Sequence, residues 1–103
     1  MEEAWTYEFQ WDPRKAQIND RKHRISFDRA STVFFDQFAL SVFDAEHSKL
    51  EDRWITLGMD RTATLLVVCH TFVEIAQRCA RLRIISARKA TKKEKQDYNI
   101  QRT

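Results

Sequence analysis

Positive charge is concentrated in one stretch of this sequence, which runs from Arg78 to Lys95 and reads RCARLRIISARKATKKEK. It contains eight Lys or Arg residues and one carboxylate, that of Glu94, so its net charge is about +7. The whole chain has a formal charge of +3, and the remaining 85 residues together are therefore acidic, at about −4. Cations held along a rigid element attract a polyanion, so this stretch indicates RNA or DNA as a target.

The first part of the basic stretch is predicted to form a long strand over residues 75–86. With a period of two, one face carries Ala80, Leu82 and Ile84, and the other carries Cys79, Arg81, Arg83 and Ile85. The arginine-bearing side is thus a poor core face, although Ile85 leaves this assignment ambiguous. The stretch then opens a helix at Thr91-Lys92-Lys93-Glu94, a capping-box pattern, and the helix is predicted to continue to about Asn99.

The first elements of the chain are indicated by alternation and by a helix cap. Tyr7, Phe9 and Trp11 alternate with polar residues, which is typical of a half-buried strand. Asp12-Pro13 then predicts the start of a helix over 13–23, because Asp caps free N–H groups and proline is tolerated at the first helical position.

A second helix and three more strands follow. Ser26 is predicted to cap a helix over about 27–36, whose apolar residues recur at helical spacing. Strands are predicted over 39–44, 53–59 and 65–69 from alternation and apolar runs. The resulting order is β-α-α-β-β-β-β-α. Long strands joined by short loops predict an antiparallel sheet with helices packed on one face, which is an α+β fold.

The totals favour one folded domain over residues 1–103, since 43% of the residues are hydrophobic and 12% are aromatic. Most of the large aromatic side chains are expected in the core; these are Phe9, Trp11, Phe27, Phe34, Phe35 and Trp54. Cys69 and Cys79 lack the spacing of metal ligands and are expected to be reduced and buried. The chain has no long apolar run and an acidic N-terminus, so we expect neither a spanning helix nor a secretory signal, and a cytoplasmic location.

Four separated segments resemble the BrnT family of bacterial toxins; they read FQWDPRKAQIN, KHRISFDRA, DAEHSKLEDRWITLG and RLRIISARKATKKEKQDY. The resemblance runs from about Tyr7 to Tyr98. It implies a RelE-like ribonuclease fold, with two N-terminal helices packed on an antiparallel sheet and a C-terminal helix. One position departs from the family pattern, because Arg24 stands where the family usually has glycine after Lys-His. If a left-handed helix end is needed there, Arg24 has to adopt another geometry or accept strain.

For function, the resemblance implies a ribonuclease toxin of a type II toxin–antitoxin system. Such a toxin cleaves RNA, including ribosome-associated mRNA, without a metal ion and thereby inhibits translation. No cofactor is implied. The implied partners are RNA and a BrnA-type antitoxin protein, which neutralises the toxin and through which alone the pair contacts DNA. No membrane partner is implied.

Metal-free RNA cleavage needs a group that helps the 2′-OH attack, positive charge at the phosphorus, and a stabilised 5′-oxygen leaving group. Arginine meets the second need, because a guanidinium fits two phosphate oxygens and keeps its charge. The segments that resemble the family motifs place Arg53, Arg83 and Arg88 as phosphate clamps, and Arg81 as a weaker fourth candidate. The alternative for these arginines is a solvated strand edge.

Two histidines at motif positions are candidate acid–base groups, His47 and His23. His47 could instead be a turn residue, with Asp44 hydrogen-bonding the local backbone, and His23 could simply complement the dipole at a helix end. Lys22 shares that helix end and could reach a phosphate. His70 lies outside the motifs and is not a candidate.

The remaining candidates for RNA binding lie in or after the basic strand; with Lys22, they are Arg81, Lys89, Lys92 and Tyr98. Tyr98 is one turn after Glu94 and could either stack on a base or pack the helix onto the sheet. Glu94 itself is better explained by the capping box than as a catalytic base.

A second function fits the same residues, namely a non-catalytic basic module that binds RNA or the antitoxin. Binding needs charge, whereas catalysis needs charge in a fixed geometry. Substitution of His47 or Arg83 separates the two, because catalysis falls by orders of magnitude whereas a binder loses affinity modestly. A third reading, a degenerate toxin kept as an antitoxin-binding scaffold, depends on Arg24 alone.

Overall fold

A computed structural model describes residues 4–102 of the chain. Six strands are present: β1 (Thr6–Trp11), β2 (Leu40–Phe43), β3 (Arg53–Met59), β4 (Leu65–Thr71), β5 (Val73–Ala76) and β6 (Cys79–Lys89). Three α-helices accompany them: α1 (Pro13–His23), α2 (Phe27–Ser31) and α3 (Lys92–Arg102). Short 3-10 turns cover Thr32–Phe35 and Ala45–His47. The fold is therefore of mixed α+β type, as predicted.

The strands form one sheet in the order β1-β6-β4-β3-β2, and β5 pairs with β6 beyond the end of β4. All pairs are antiparallel except β1 and β6, which run parallel from Thr6 opposite Cys79 to Trp11 opposite Ile84. The prediction of a wholly antiparallel sheet was therefore wrong for this pair. Local patterns identify a strand but not its partner. Here the first strand pairs with the last, although some 70 residues separate them in the sequence.

The predicted strand over 75–86 is in fact two strands. β5 ends at Ala76 and β6 begins at Cys79, and the turn between them places Arg78 in the left-handed region with φ 56°. Neither glycine nor proline marks this turn in the sequence, so the usual turn signals could not reveal it. The predicted strand over 65–69 is correct but continues to Thr71.

The first helix begins and ends as its sequence predicts. Asp12 accepts a hydrogen bond from the backbone N–H of Arg14 at 2.8 Å, and Pro13 is the first helical residue. Arg24 follows the helix in the left-handed conformation, with φ 59° and ψ 35°, and its N–H donates to the carbonyl of Asp20. The chain therefore keeps the geometry that suits glycine and accepts strain of about 1 kcal/mol at a non-glycine residue.

The second helix is shorter than predicted. Its cap is as expected, since the hydroxyl of Ser26 accepts a hydrogen bond from the N–H of Arg29 at 3.1 Å. Beyond Ser31 the chain tightens into the 3-10 turn Thr32–Phe35, so the expected α-helix to residue 36 was wrong in its second half. The hydroxyls of Ser31 and Thr32 bond carbonyls three residues back, at 2.7 Å each, which is a local competition typical of these residues.

The core lies between the sheet and the two N-terminal helices. α1 and α2 both contact β6. The buried apolar cluster consists of Ile25, Phe27, Ala30, Val33, Leu66, Val68, Ile84 and Ala87. Phe9, Trp11 and Phe34 pack against this cluster, as predicted, and Trp54 is half-buried. Phe35 was wrongly predicted to be buried, because the 3-10 turn leaves it 68% exposed. We call the side of the sheet that carries this core the helix face.

Gly58 allows close approach of the 3-10 turn to β3. A Cβ added there would lie 3.1 Å from both the Cβ and the carbonyl oxygen of Val33. This crossing, rather than a turn conformation, is the reason why the only glycine of the chain stands inside a strand.

Asn19, the one buried residue of α1, joins the helices to the sheet. Its side-chain amide donates to the carbonyls of Ile25 and Ala87, at 3.0 and 2.9 Å, and its carbonyl oxygen accepts from the N–H of Ala87 at 3.0 Å. One side chain thus satisfies three backbone groups that are buried away from water, which fixes the α1–α2 turn against β6.

His70 is buried on the helix face in its neutral form. Its Nδ1 must donate to the carbonyl of Thr71, 2.8 Å away, so its Nε2 accepts from the hydroxyl of Thr56 at 2.6 Å. The hydroxyl of Ser41 in turn donates to Thr56 at 2.7 Å. Burial lowers the pKa of His70 from 6.5 to about 4. This histidine is therefore a structural residue of the sheet.

Stability is expected to fall with acid because of His70. The unfolded chain binds a proton at this residue below pH 6.5, whereas the folded chain binds it only near pH 4. The lowered pKa of His70 therefore adds its full amount to the free energy of unfolding above pH 6.5. This stabilisation, about 3 kcal/mol in total, is lost as the pH falls towards 4. Urea unfolding at pH 7.0 and 4.8 measures this loss. In His70→Gln, which keeps a donor and an acceptor, the difference in unfolding free energy between the two pH values should become smaller. In His47→Gln, which alters an exposed histidine, the difference should remain. The same difference in all three chains would show that His70 is not its source.

No helix within residues 4–102 has the length and apolar character that crossing a membrane requires. Cys69 and Cys79 are both free thiols, as predicted. Each is half-buried and not fully buried as the sequence suggested.

Candidate functional site

A bulge in β6 decides which basic residues share a face. Cys69 pairs with Ser86 but its neighbour His70 pairs with Ile84, so β6 carries one extra residue, Ile85, at this point. Ile84 and Ala87 consequently both reach the core although they are three apart. The extra residue also changes the alternation for the arginines. Arg83 and Arg88 are five residues apart, which in a regular strand would place them on different faces, but the bulge places both on the side away from the core. The ambiguity of Ile85 in the sequence is thereby explained.

The side of the sheet opposite the helix face carries Arg53, Arg81 and Arg83, and we call it the arginine face. Thr71 stands between two of these residues. It pairs with Arg53 on β3, and its hydroxyl accepts a hydrogen bond from the backbone N–H of Arg83 at 2.9 Å. Arg81 and Arg83 line a cleft of about 220 Å³ together with Gln10 of β1. Residues of four strands, β1, β4, β5 and β6, thus line one cleft, in which the two arginines lie with the carboxylates of Glu51 and Asp52.

Glu51 lies between two of the arginines. Its carboxylate contacts the guanidinium of Arg83 in a short ion pair and lies 3.6 Å from that of Arg53. The hydrogen bond from Arg83, with the charges of Arg83 and Arg53, holds the pKa of Glu51 below its usual value. The carboxylate is therefore ionised at neutral pH. It lines the cleft on the arginine face, and it is half-exposed, so a ligand in that cleft can reach it.

His47 lies beside the same carboxylate. It lines a second cleft of about 310 Å³, to which Glu51 and Arg53 also contribute. Asp44 accepts a hydrogen bond from the ring Nδ1 of His47 at 2.9 Å and another from its backbone N–H at 3.3 Å. The predicted bond from Asp44 to the local backbone is thus present, but Asp44 also orients the imidazole. Nε2 is then the ring nitrogen that remains for a substrate, since none of residues 4–102 hydrogen-bonds it.

Arg53 lines the second cleft, and its backbone is fixed there. Its backbone N–H donates to the hydroxyl of Ser48 at 2.9 Å. Its side-chain Nε is buried and finds no hydrogen-bond partner among the residues that the structure describes. A buried donor without a partner costs free energy, and functional sites are a common place for such a cost.

Arg88 is engaged elsewhere. Its guanidinium makes a bidentate pair with Glu94, at 2.8 and 2.9 Å, and this pair lowers the pKa of Glu94 to about 2. Glu94 also accepts from the N–H of Thr91, whose hydroxyl accepts from the N–H of Glu94, so the predicted capping box is present. Arg88 therefore ties the start of α3 to β6, and its charge is offset where it stands.

The catalytic candidate His23 and the other predicted RNA-binding residues are spread over the molecule. Lys22 and His23 lie at the C-terminal end of α1, and Lys89 and Lys92 lie near the start of α3. Tyr98 is 2% exposed, and its hydroxyl donates to Asp36. Burial and this bond raise the pKa of Tyr98 to about 12. Its ring packs α3 against the rest of the chain and has no exposed surface on which a base could stack.

The comparisons with known proteins identify the family. Residues 11–94 match the model of a family described as "Ribonuclease toxin, BrnT, of type II toxin-antitoxin system". The chain belongs to the BrnT family. Its class is accordingly that of ribonuclease toxins of type II toxin–antitoxin systems, with RNA as the substrate and an antitoxin protein as the partner.

A solved BrnT structure has a similar fold. The 1.1 Å crystal structure of the Brucella abortus ribonuclease toxin BrnT matches with a TM-score of 0.60 and 22% sequence identity. The match covers 84% of this chain and 99% of the Brucella chain. No curated protein sequence matches the chain. The fold described above is therefore that of a BrnT toxin.

Of the candidates, the structure brings Arg53, Arg81, Arg83 and His47 to the two clefts and leaves the others outside them. It adds Glu51, which the sequence did not suggest. The signal was present in the segment EDRWITLG, where a carboxylate stands two residues before Arg53. Because Glu51 itself precedes β3 and lies outside regular structure, only the folded chain reveals that its carboxylate turns towards Arg83.

Proposed function

We propose that this BrnT-family chain is a metal-independent endoribonuclease with a RelE-like active face, which inhibits translation in the cytoplasm by cleaving mRNA, including mRNA on the ribosome. The observation that carries this proposal is the convergence of Arg53, Arg83 and His47 on two adjoining clefts. These residues supply two guanidiniums and an oriented imidazole. That set meets the needs of phosphodiester cleavage by an internal 2′-OH.

The two arginines act on the phosphate. Their guanidiniums both approach the carboxylate of Glu51, so a phosphodiester bound beside it can accept hydrogen bonds from both arginines. The two positive charges then stabilise the negative charge that grows on the phosphate oxygens during attack by the 2′-OH. His47, oriented by Asp44, stands at the edge of this position and can transfer a proton at Nε2.

The remaining cations bind RNA outside the reacting bond. Arg81 extends the cleft along β6, and Lys22, Lys89 and Lys92 are exposed cations that contact the RNA backbone. Arg88 and His23 belong to this outer group as well, because neither lines the two clefts. Each such contact raises affinity and its dependence on salt without contributing to the chemical step.

A BrnA-type antitoxin is the proposed partner. Two apolar side chains on the outermost strand β2, Val42 and Phe43, are 59% and 46% exposed. An edge strand with exposed apolar residues is a surface on which a protein segment can add. The toxin contacts DNA only through this antitoxin.

Regulated expression of the chain in bacteria, followed by analysis of cellular RNA, tests the proposal. Growth arrest with cleaved mRNA is expected, and cleavage by the purified chain should persist in EDTA and leave 2′,3′-cyclic phosphate ends. Arrest with intact RNA would instead identify the chain as a basic module that blocks translation by binding. No arrest from a folded chain would overturn the toxin reading. Co-expression of the antitoxin should restore growth.

A further inference from the structure

We propose that Glu51 is the general base of the cleavage reaction, with His47 as the general acid. The inference rests on the proposed ribonuclease function and adds the group that removes the 2′-OH proton. It starts from the placement of Glu51, whose carboxylate is shared between Arg53 and Arg83 and lines both clefts. No other carboxylate of residues 4–102 contacts either guanidinium.

A carboxylate at this place has the properties that a base requires. It is ionised at neutral pH, because the adjacent guanidiniums hold its pKa below the usual value. It is half-exposed, so an incoming ribose can reach it. The carboxylate also lies beside the cations that would bind the phosphate. In RNA the reacting 2′-OH is on the ribose carbon next to the one that carries this phosphate through O3′. Substrate binding therefore brings the proton and the base together.

The step balances without a cofactor. Glu51 takes the proton of the 2′-OH while O2′ forms a bond to phosphorus, and the bond between phosphorus and O5′ breaks. The protonated imidazole of His47 gives its Nε2 proton to the departing O5′. The products are a 2′,3′-cyclic phosphate and a 5′-OH end, and exchange with water returns both side chains to their starting states.

A purely structural role for Glu51 fits the contacts less well. Arg83 is already fixed through its backbone by Thr71, and Arg53 is fixed through its backbone by Ser48. Ion pairs between partly exposed side chains such as these contribute little to stability. Removal of the carboxylate should therefore leave the fold intact and free the two guanidiniums for an anion.

The test measures cleavage and binding separately. Glu51→Gln is expected to lower the single-turnover cleavage rate about a hundredfold or more, because the amide cannot accept the proton. The same variant should bind 2′-O-methyl RNA, which cannot be cleaved, as tightly as the unchanged chain or more tightly. Glu51→Asp keeps a carboxylate and should recover at least about tenfold of the lost rate. Thermal unfolding of each variant checks the fold.

A carboxylate outside both clefts serves as the control. Asp28→Asn alters an exposed acid that is also paired with an arginine, Arg61 at 2.8 Å, and it should cleave at close to the normal rate. Cleavage by Glu51→Gln within threefold of the normal rate would overturn the assignment, as would a loss of affinity that accounts for the loss of rate. If the unchanged chain itself leaves RNA intact, the ribonuclease function fails, and that result is distinct from failure at Glu51 alone.

Discussion

Arg83→Ala is expected to lower RNA cleavage about a thousandfold while leaving the folded state nearly as stable as before. The guanidinium of Arg83 is one of two that face Glu51 in the cleft, so its loss removes positive charge where the phosphorane develops. The side chain is 39% exposed, and the backbone bond to Thr71 does not need it. The rate constant for cleavage under single-turnover conditions is the quantity to measure. Arg83→Lys keeps the charge but loses the planar fork, so it should restore only part of the rate.

A matched control for this change is Arg61→Ala. Arg61 is also a partly exposed arginine paired with a carboxylate, that of Asp28 at 2.8 Å, but it lies outside both clefts. Its removal should change cleavage less than twofold. Equal losses for the two variants would mean that overall charge, and not the geometry of the cleft, governs the reaction. That result would favour the non-catalytic binding module.

Asn19→Ala is expected to be the most destabilising of the single changes considered. The substitution removes three hydrogen bonds and leaves buried backbone groups of Ile25 and Ala87 without partners. Each unsatisfied buried group costs about 1–3 kcal/mol, so a total loss of roughly 3 kcal/mol is expected. For a chain of this size that loss lowers the melting temperature by roughly 15 °C. Urea unfolding at pH 7 provides the free energy directly.

The second asparagine of the chain is the natural comparison. Asn99 is exposed on α3, so Asn99→Ala should change the unfolding free energy by less than about 0.5 kcal/mol. A loss at Asn19 no larger than that at Asn99 would show that the turn between α1 and α2 does not depend on the bridge to β6.

Those parts of the fold that depend on neighbouring residues could be predicted from the sequence. Asp12 with Pro13 marks the start of α1, Ser26 marks the start of α2, and Thr91 with Glu94 forms the capping box of α3. In each case the residue that marks the start of the helix also makes the hydrogen bond that caps it, so the pattern and the cause coincide. Alternation likewise identified β1 and β3.

Features set by contacts between distant residues could not be predicted. The parallel pairing of β1 with β6 and the bulge at Ile85 both depend on which strands become neighbours. The exposure of Phe35 has a local origin, the 3-10 turn Thr32–Phe35, which the helical spacing of the apolar residues did not reveal. The candidate site likewise has a predictable and an unpredictable part. The arginines could be proposed from their motifs, whereas the place of Glu51 beside Arg83 depends on how the loop before β3 folds.

The place of β6 in the sheet has a consequence for how the toxin comes into being. β6 is the last strand of the chain, yet it pairs with β1 on one side and with β4 and β5 on the other. During synthesis the sheet therefore lacks an interior strand, and β1 lacks its partner, until residue 89 has been made. The cleft that includes Arg83 cannot exist on a shorter nascent chain. For the ribonuclease proposed above, cleavage of RNA can therefore begin only after β6 has been made.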